Sequence, residues 1–266
     1  QVGYGDDFLK MGSLKAFADG SLGSSTAWFF EKYNQDTTTY GLPMDIITDG
    51  NMEKWCTDAD KNHLQLSVHA IGDKANSYML DLYEKISKEN PKWDRRFRIE
   101  HAQHVRFQDI PRFAELGVIA SVQPYHCIDD GVWAEKRIGP ERIKYTYPFK
   151  SFLDAGVKMC FGTDWYVAPL NPLLGLYAAV TRRTLDDKNP EGWIPEQKIS
   201  IEDAIKCYTI NSAYASFEEN TKGSIEVGKL ADLIVLSDDI LKIDPVKIKN
   251  AEVVMTIFDG KVIFKK

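Results

Sequence analysis

Four side chains in the sequence stand where chemistry can be done: Lys15, His69, His101 and Asp164. Each lies within or just past a short apolar run. Two imidazoles and a carboxylate make a donor set of borderline hardness, suited to zinc, manganese, nickel or iron in the divalent state. An ion so held lowers the pKa of its water toward neutrality and polarises a carbonyl or phosphoryl oxygen. A lysine is out of place there as an ammonium, which repels cations. It becomes a ligand only as a carbamate formed with carbon dioxide, an anionic bridge. Each residue alone has a plainer reading: a core histidine, a surface lysine, an aspartate capping a helix. Recurrence at one structural position is what argues for a site.

That position follows from the elements. Residues 13–18, 65–70, 97–101, 117–123 and 157–162 read as strands, nearly all apolar and closed by polar or glycine-containing pairs. Amphipathic stretches at 51–62, 75–88, 107–116, 147–155 and 172–184 read as helices between or after them. Strands alternating with helices predict a parallel α/β sheet. In such folds the active site forms at the C-terminal ends of the strands. The four residues are spaced by 54, 32 and 63 positions. One βαβ step takes about 30 residues or more, so these intervals are one step with an insertion, one step, and two steps. Residues 24–44, polar and rich in threonine, supply the insertion.

Beyond residue 220 the texture becomes β-like, at 223–229, 231–236 and 253–264. Asp259-Gly260 between two apolar runs signals a two-residue hairpin. The expected organisation is therefore 1–220 as the barrel-type part and 221–266 as a small β-domain, with helices near 201–217 between the last strand and that domain. Gly223, Gly228 and Lys229 imitate a phosphate-binding loop, but Leu230 stands where Ser or Thr must meet magnesium.

Composition narrows the function. Lys and Arg number 33 against 39 Asp and Glu, a formal net charge of −6, with 44% apolar residues. This is ordinary globular composition rather than that of a disordered chain. Mild acidity excludes the concentrated basic face that a nucleic-acid partner requires. No run approaches the roughly 18 apolar residues of a membrane span. Cys56, Cys127, Cys160 and Cys207 form no CxxC pair and read as free thiols in a reducing compartment. With no charged and apolar leader visible, the expected location is the cytoplasm.

The segments LKAFADGSLGSSTA, SVHAIGDKA, RIEHAQ, ASVQP, FGTDW and GSIEVGKLADLIVL, in this order, resemble the amidohydrolase superfamily. More narrowly they resemble its amidohydrolase-3 branch, which includes N-substituted formamide deformylases. The resemblance implies a (β/α)8 TIM-barrel-type metal-dependent hydrolase, here its strands four to eight, plus part of a small β-sandwich. It implies His69 and His101 as metal ligands, Asp164 as metal-linked general base, and Lys15 as the fourth-strand lysine that can bridge two metals as a carbamate. It also implies one or two divalent ions, zinc foremost. The family's His-x-His pair has no counterpart here, nor do its first three barrel strands. The chain thus resembles the C-terminal part of a family member.

The reading is a hydrolase that cleaves an amide- or formamide-type C–N bond in a small molecule with metal-activated water, Asp164 carrying the proton. His126, Asp129 and Asp19 are the expected substrate contacts, with a turn-forming role equally open for Asp19. His126 and Asp129 are expected in the loop after the 117–123 run. The alternatives are ester or phosphoester hydrolysis at the same metal, or a non-catalytic fragment. Open strand edges predict self-association into a homo-oligomer or pairing with a missing N-terminal segment.

Overall fold

The computed structural model describes residues 3–266. Its first sheet contains β1 (Leu14–Phe17), β2 (Leu66–Ala70), β3 (Arg98–His101), β4 (Ile119–Val122) and β5 (Met159–Phe161), neighbours in space in the order they follow along the chain. The pairings from β1 through β4 are parallel. Such a sheet follows from one crossover step repeated with constant hand. The crossovers are α1 (Asp45–Thr48) and α2 (Asn51–Lys61), then α3 (Asp73–Glu89), then α4 (Ile110–Leu116). Between β4 and β5 lie α5 (Pro124–Asp130), α6 (Ala134–Arg142) and α7 (Phe149–Asp154). After β5 come α8 (Pro172–Thr181), α9 (Ile201–Tyr208) and α10 (Ile210–Ala215). A second, antiparallel sheet contains β6 (Leu233–Leu236), β7 (Val253–Phe258) and β8 (Lys261–Lys265).

Packing divides the chain into two units. The first runs up to Val122 and includes Trp133–Met159; the second comprises Gln123–Val132 and Cys160–Lys266.

In the first unit the sheet has two unlike faces, because side chains alternate along each strand. Leu66, Val68, Ile99 and Ala120 lie on the fully buried apolar face. Ser67, His69, Arg98, Glu100 and Ser121 lie on the other, matched in register across β2, β3 and β4. The long helix α3 buries Ala75, Met79, Leu82, Tyr83 and Ile86 at helical spacing. Phe113 of α4 packs on Phe152 of α7, ring centroids 5.1 Å apart. Below the sheet Asp60, 1% exposed, accepts hydrogen bonds from Asn90, Trp93 and Arg95.

In the second unit α8 starts at Pro172 with Asn171 capping the Leu173 amide, and α9 starts with Ser200 accepting from the Asp203 amide. Gly175 is required by α8: a Cβ there would lie 1.9 Å from the Tyr208 hydroxyl oxygen. The hairpin between β7 and β8 turns at Asp259 and Gly260, with φ of 49° and 72°, as the type I′ signal requires.

The helices expected near 201–217 are α9 and α10, separated at Thr209 where φ is −115° and ψ is −97°. Two sequence expectations change. Residues 223–229 form turns rather than a strand, with Gly223 and Gly228 at φ of 93° and 96°. The chain then enters β6 instead of a helix, which disposes of the phosphate-loop imitation. The residues after β4 are helix α5, opened by Pro124 at its first turn, so His126 and Asp129 are helical rather than in a loop.

Candidate functional site

In the first unit the ends of β1, β2 and β3 bring together Asp19, His69 and His101. His69 is 7% exposed and its ring lies between Phe17, at a centroid distance of 5.0 Å, and His101, at 4.5 Å. Alternation would carry His101 to the helix-packed face with Ile99. Instead His101 takes φ of 71° and Ala102 takes φ of 41°. This left-handed step costs energy for a residue with a Cβ, and it accompanies the edge-on approach of the two imidazoles.

The His69 nitrogens have different surroundings. Nε2 lies 2.9 Å from the Gly20 carbonyl oxygen and 3.4 Å from Asp19 Oδ1. Both neighbours only accept, so Nε2 carries the proton and donates. Nδ1 then presents a lone pair, and it is buried without a hydrogen-bond partner. A buried polar atom left unpaired costs about 1–3 kcal/mol. Metal-ligating histidines use this pattern, with one nitrogen on a carbonyl or carboxylate and the other on the ion.

Asp19 is 1% exposed. Its Oδ1 accepts from the Ile71 amide at 3.0 Å, and its Oδ2 from the Gly72 and Trp28 amides, both at 2.8 Å. The carboxylate thus ties the ends of β1 and β2 to the segment after Gly20. Lys15, on β1 opposite Ser67, is exposed, with Nζ 4.9 Å from the centre of the Phe17 ring.

Sequence reasoning missed Glu100. Its carboxylate accepts from Ser67 Oγ, from Arg98 Nε at 2.9 Å and from Ser121 Oγ at 2.6 Å. Arg98 also donates to Ser13 Oγ at 3.1 Å. The signal was present: polar residues two apart, Ser67 and His69 on β2, Arg98 and Glu100 on β3, mark a polar sheet face. His104 is fully buried, with Nδ1 2.8 Å from Thr146 Oγ1. Burial, aided by the Arg142 charge, pushes its pKa down to about 3.

In the second unit Asp164 follows β5 and Gly162-Thr163. It too is left-handed, at φ of 57°. Its carbonyl accepts from the Val167 and Ala168 amides at 2.8 and 3.3 Å, closing a tight turn. His126 of α5 places Nε2 3.3 Å from Asp164 Oδ2, side-chain exposures being 15% and 36%. Asp129 sits one helical turn beyond His126 and is exposed. Trp165 and Tyr166 project outward from the turn, 65% and 85% exposed, with their rings edge to face.

A parallel α/β sheet with polar side chains gathered past its strand ends has the layout in which barrel-type folds build their sites. The comparisons give the family. A family model described as "Amidohydrolase family" matches residues 1–264. The chain is 43% identical over 232 residues to "Protein LONG AFTER FAR-RED 3" of Arabidopsis thaliana, covering 87% of this chain and 39% of that protein. It is 27% identical over 256 residues to N-substituted formamide deformylase of Arthrobacter pascens, covering 95% and 45%. The crystal structure of an uncharacterized metal-dependent hydrolase from Pyrococcus horikoshii superposes with a TM-score of 0.80 at 33% identity, covering 92% of this chain and 48% of that one.

The chain belongs to the amidohydrolase family, and its fold is the α/β, TIM-barrel type of that family. It spans less than half the length of each of these relatives. No helix among the described residues is long and apolar enough to cross a membrane.

Proposed function

We propose that the protein hydrolyses a carbon–nitrogen bond in a small amide or formamide, with a divalent metal, zinc foremost, held by His69, His101 and Asp164. The relative named as a deformylase supports the bond type. In the second unit His126 Nε2 lies 3.3 Å from Asp164 Oδ2, so in this reading His126 serves either the ion or the substrate carbonyl. Lys15, as a carbamate, would bridge to a second ion. The observation that carries the metal reading is His69: a fixed Nε2–H donor and a buried, unpartnered Nδ1.

A bound divalent ion supplies a water of lowered pKa and polarises the scissile carbonyl. The side chains do the rest. His69 and His101 fix position from the ends of β2 and β3. Asp164 accepts a proton from the attacking water and hands it to the leaving amine, an acid–base shuttle. Its partly exposed carboxylate suits a group that must meet both. Asp129 and His126, a helical turn apart, contact the substrate in this reading. The free cysteines agree with a cytoplasmic location.

The test is metal content combined with turnover on a panel of N-acyl and formamide substrates. Stoichiometric zinc with amide turnover is the expected result. Absence of bound metal after zinc loading would remove the proposal.

A further inference from the structure

We infer that Asp19 is the positioning residue for His69, holding its imidazole in the Nε2–H form so that the Nδ1 lone pair faces the ion. The inference rests on the metal reading above and gives Asp19, expected from the sequence as a substrate contact or turn former and here 1% exposed, a positioning role instead. Asp19 Oδ1 stands 3.4 Å from His69 Nε2, and the Gly20 carbonyl, one residue on, stands at 2.9 Å. Neither oxygen can donate a proton, so the Nδ1–H form would leave Nε2 facing two acceptors with a lone pair. Asp19 cannot swing away, because the amides of Trp28, Ile71 and Gly72 hold both its oxygens. Those three amides belong to the segment after β1 and to the end of β2, so one carboxylate sets the backbone around the histidine and its protonation form together. Nδ1, left buried and unpartnered, is the atom this arrangement reserves.

Asp19→Asn reverses part of the pattern. If the Asn oxygen keeps the Gly72 and Trp28 amides, the Asn NH2 group faces the Ile71 amide and His69 Nε2. A donor then confronts Nε2, which favours moving its proton to Nδ1. The lone pair that would meet the metal is lost.

The experiment uses the metal-free protein labelled with 15N-histidine, and multiple-bond 15N–1H correlation to read the tautomer of neutral His69. Zinc affinity is then measured by competition with a chelating dye. The wild type should show Nε2–H. Asp19→Asn should shift His69 toward Nδ1–H and weaken zinc binding by about 10–100-fold, the range typical of partners behind a metal ligand. Asp60→Asn is the control, since it also breaks a buried carboxylate network of the first unit without touching His69. It should leave tautomer and affinity unchanged. An Nδ1–H tautomer in the wild type overturns the inference with no variant required. So does an Asp19→Asn protein with wild-type tautomer and affinity. Wild-type protein that shows Nε2–H and responds to Asp19→Asn, yet binds no zinc, overturns the metal reading and leaves the Asp19–His69 relation standing.

Discussion

The two groups of proposed site residues are held very differently. In the first unit His69 is 7% exposed, walled by Phe17 and His101, and hydrogen-bonded through Nε2 to a carbonyl that a buried carboxylate helps place. In the second unit Asp164 keeps a side chain 36% exposed, on a turn whose hydrogen bonds are made by its main-chain carbonyl. The contrast matches two tasks. A metal ligand must offer one lone pair in one direction, so rigidity helps it. A proton carrier must reach water and then a leaving group, so access helps it.

Variants can separate these tasks. The largest effect is expected from Asp164→Asn, which should lower turnover by about 10²–10⁴-fold while most of the zinc stays bound, read from kcat and metal content on one sample. His69→Ala should do the opposite in emphasis, with zinc held more weakly and activity lowered as a consequence. Should both variants lose metal and rate to the same extent, the division of labour between His69 and Asp164 is refuted.

A second difference concerns pH. His104, behind the first-unit site, has its pKa pushed down to about 3, whereas a histidine in an unfolded chain titrates near 6.5. Between these values the unfolded chain binds a proton that the folded chain does not. The stability conferred by neutral His104 is complete above about 6.5 and is lost as pH falls toward 3. Urea midpoints across that window should fall less steeply in His104→Gln than in the wild type. Parallel curves would show that His104 does not couple folding to pH. The smallest effect belongs to the second unit, where Ser200→Ala removes the cap of α9. It should cost about 1 kcal/mol in denaturant unfolding and leave metal content untouched.

The sequence makes the polar strand ends legible because apolar runs and their polar terminators are local signals. Leu66–Ala70 and the turn at Asp259-Gly260 follow directly from such patterns. His101 beside His69 is only half legible. Its strand can be read, but the left-handed step that defeats alternation cannot, since nothing in Glu100-His101-Ala102 requires it. Helix α5 announces itself weakly, through Pro124 alone. The role of Asp19 was beyond reach for a different reason: its amide partners lie 9, 52 and 53 residues away and carry no side-chain signature. Glu100 stood in plain view beside His101, yet its partners Ser67 and Ser121 become neighbours only once the strand register is known.

The most direct measurement is zinc-edge X-ray absorption on the zinc-loaded protein and on its His69→Ala form. Two imidazole nitrogens near 2.0–2.1 Å, with oxygen completing the shell, and one imidazole fewer in the variant, are the predicted result. A zinc shell of identical imidazole count in both proteins would contradict the proposed site.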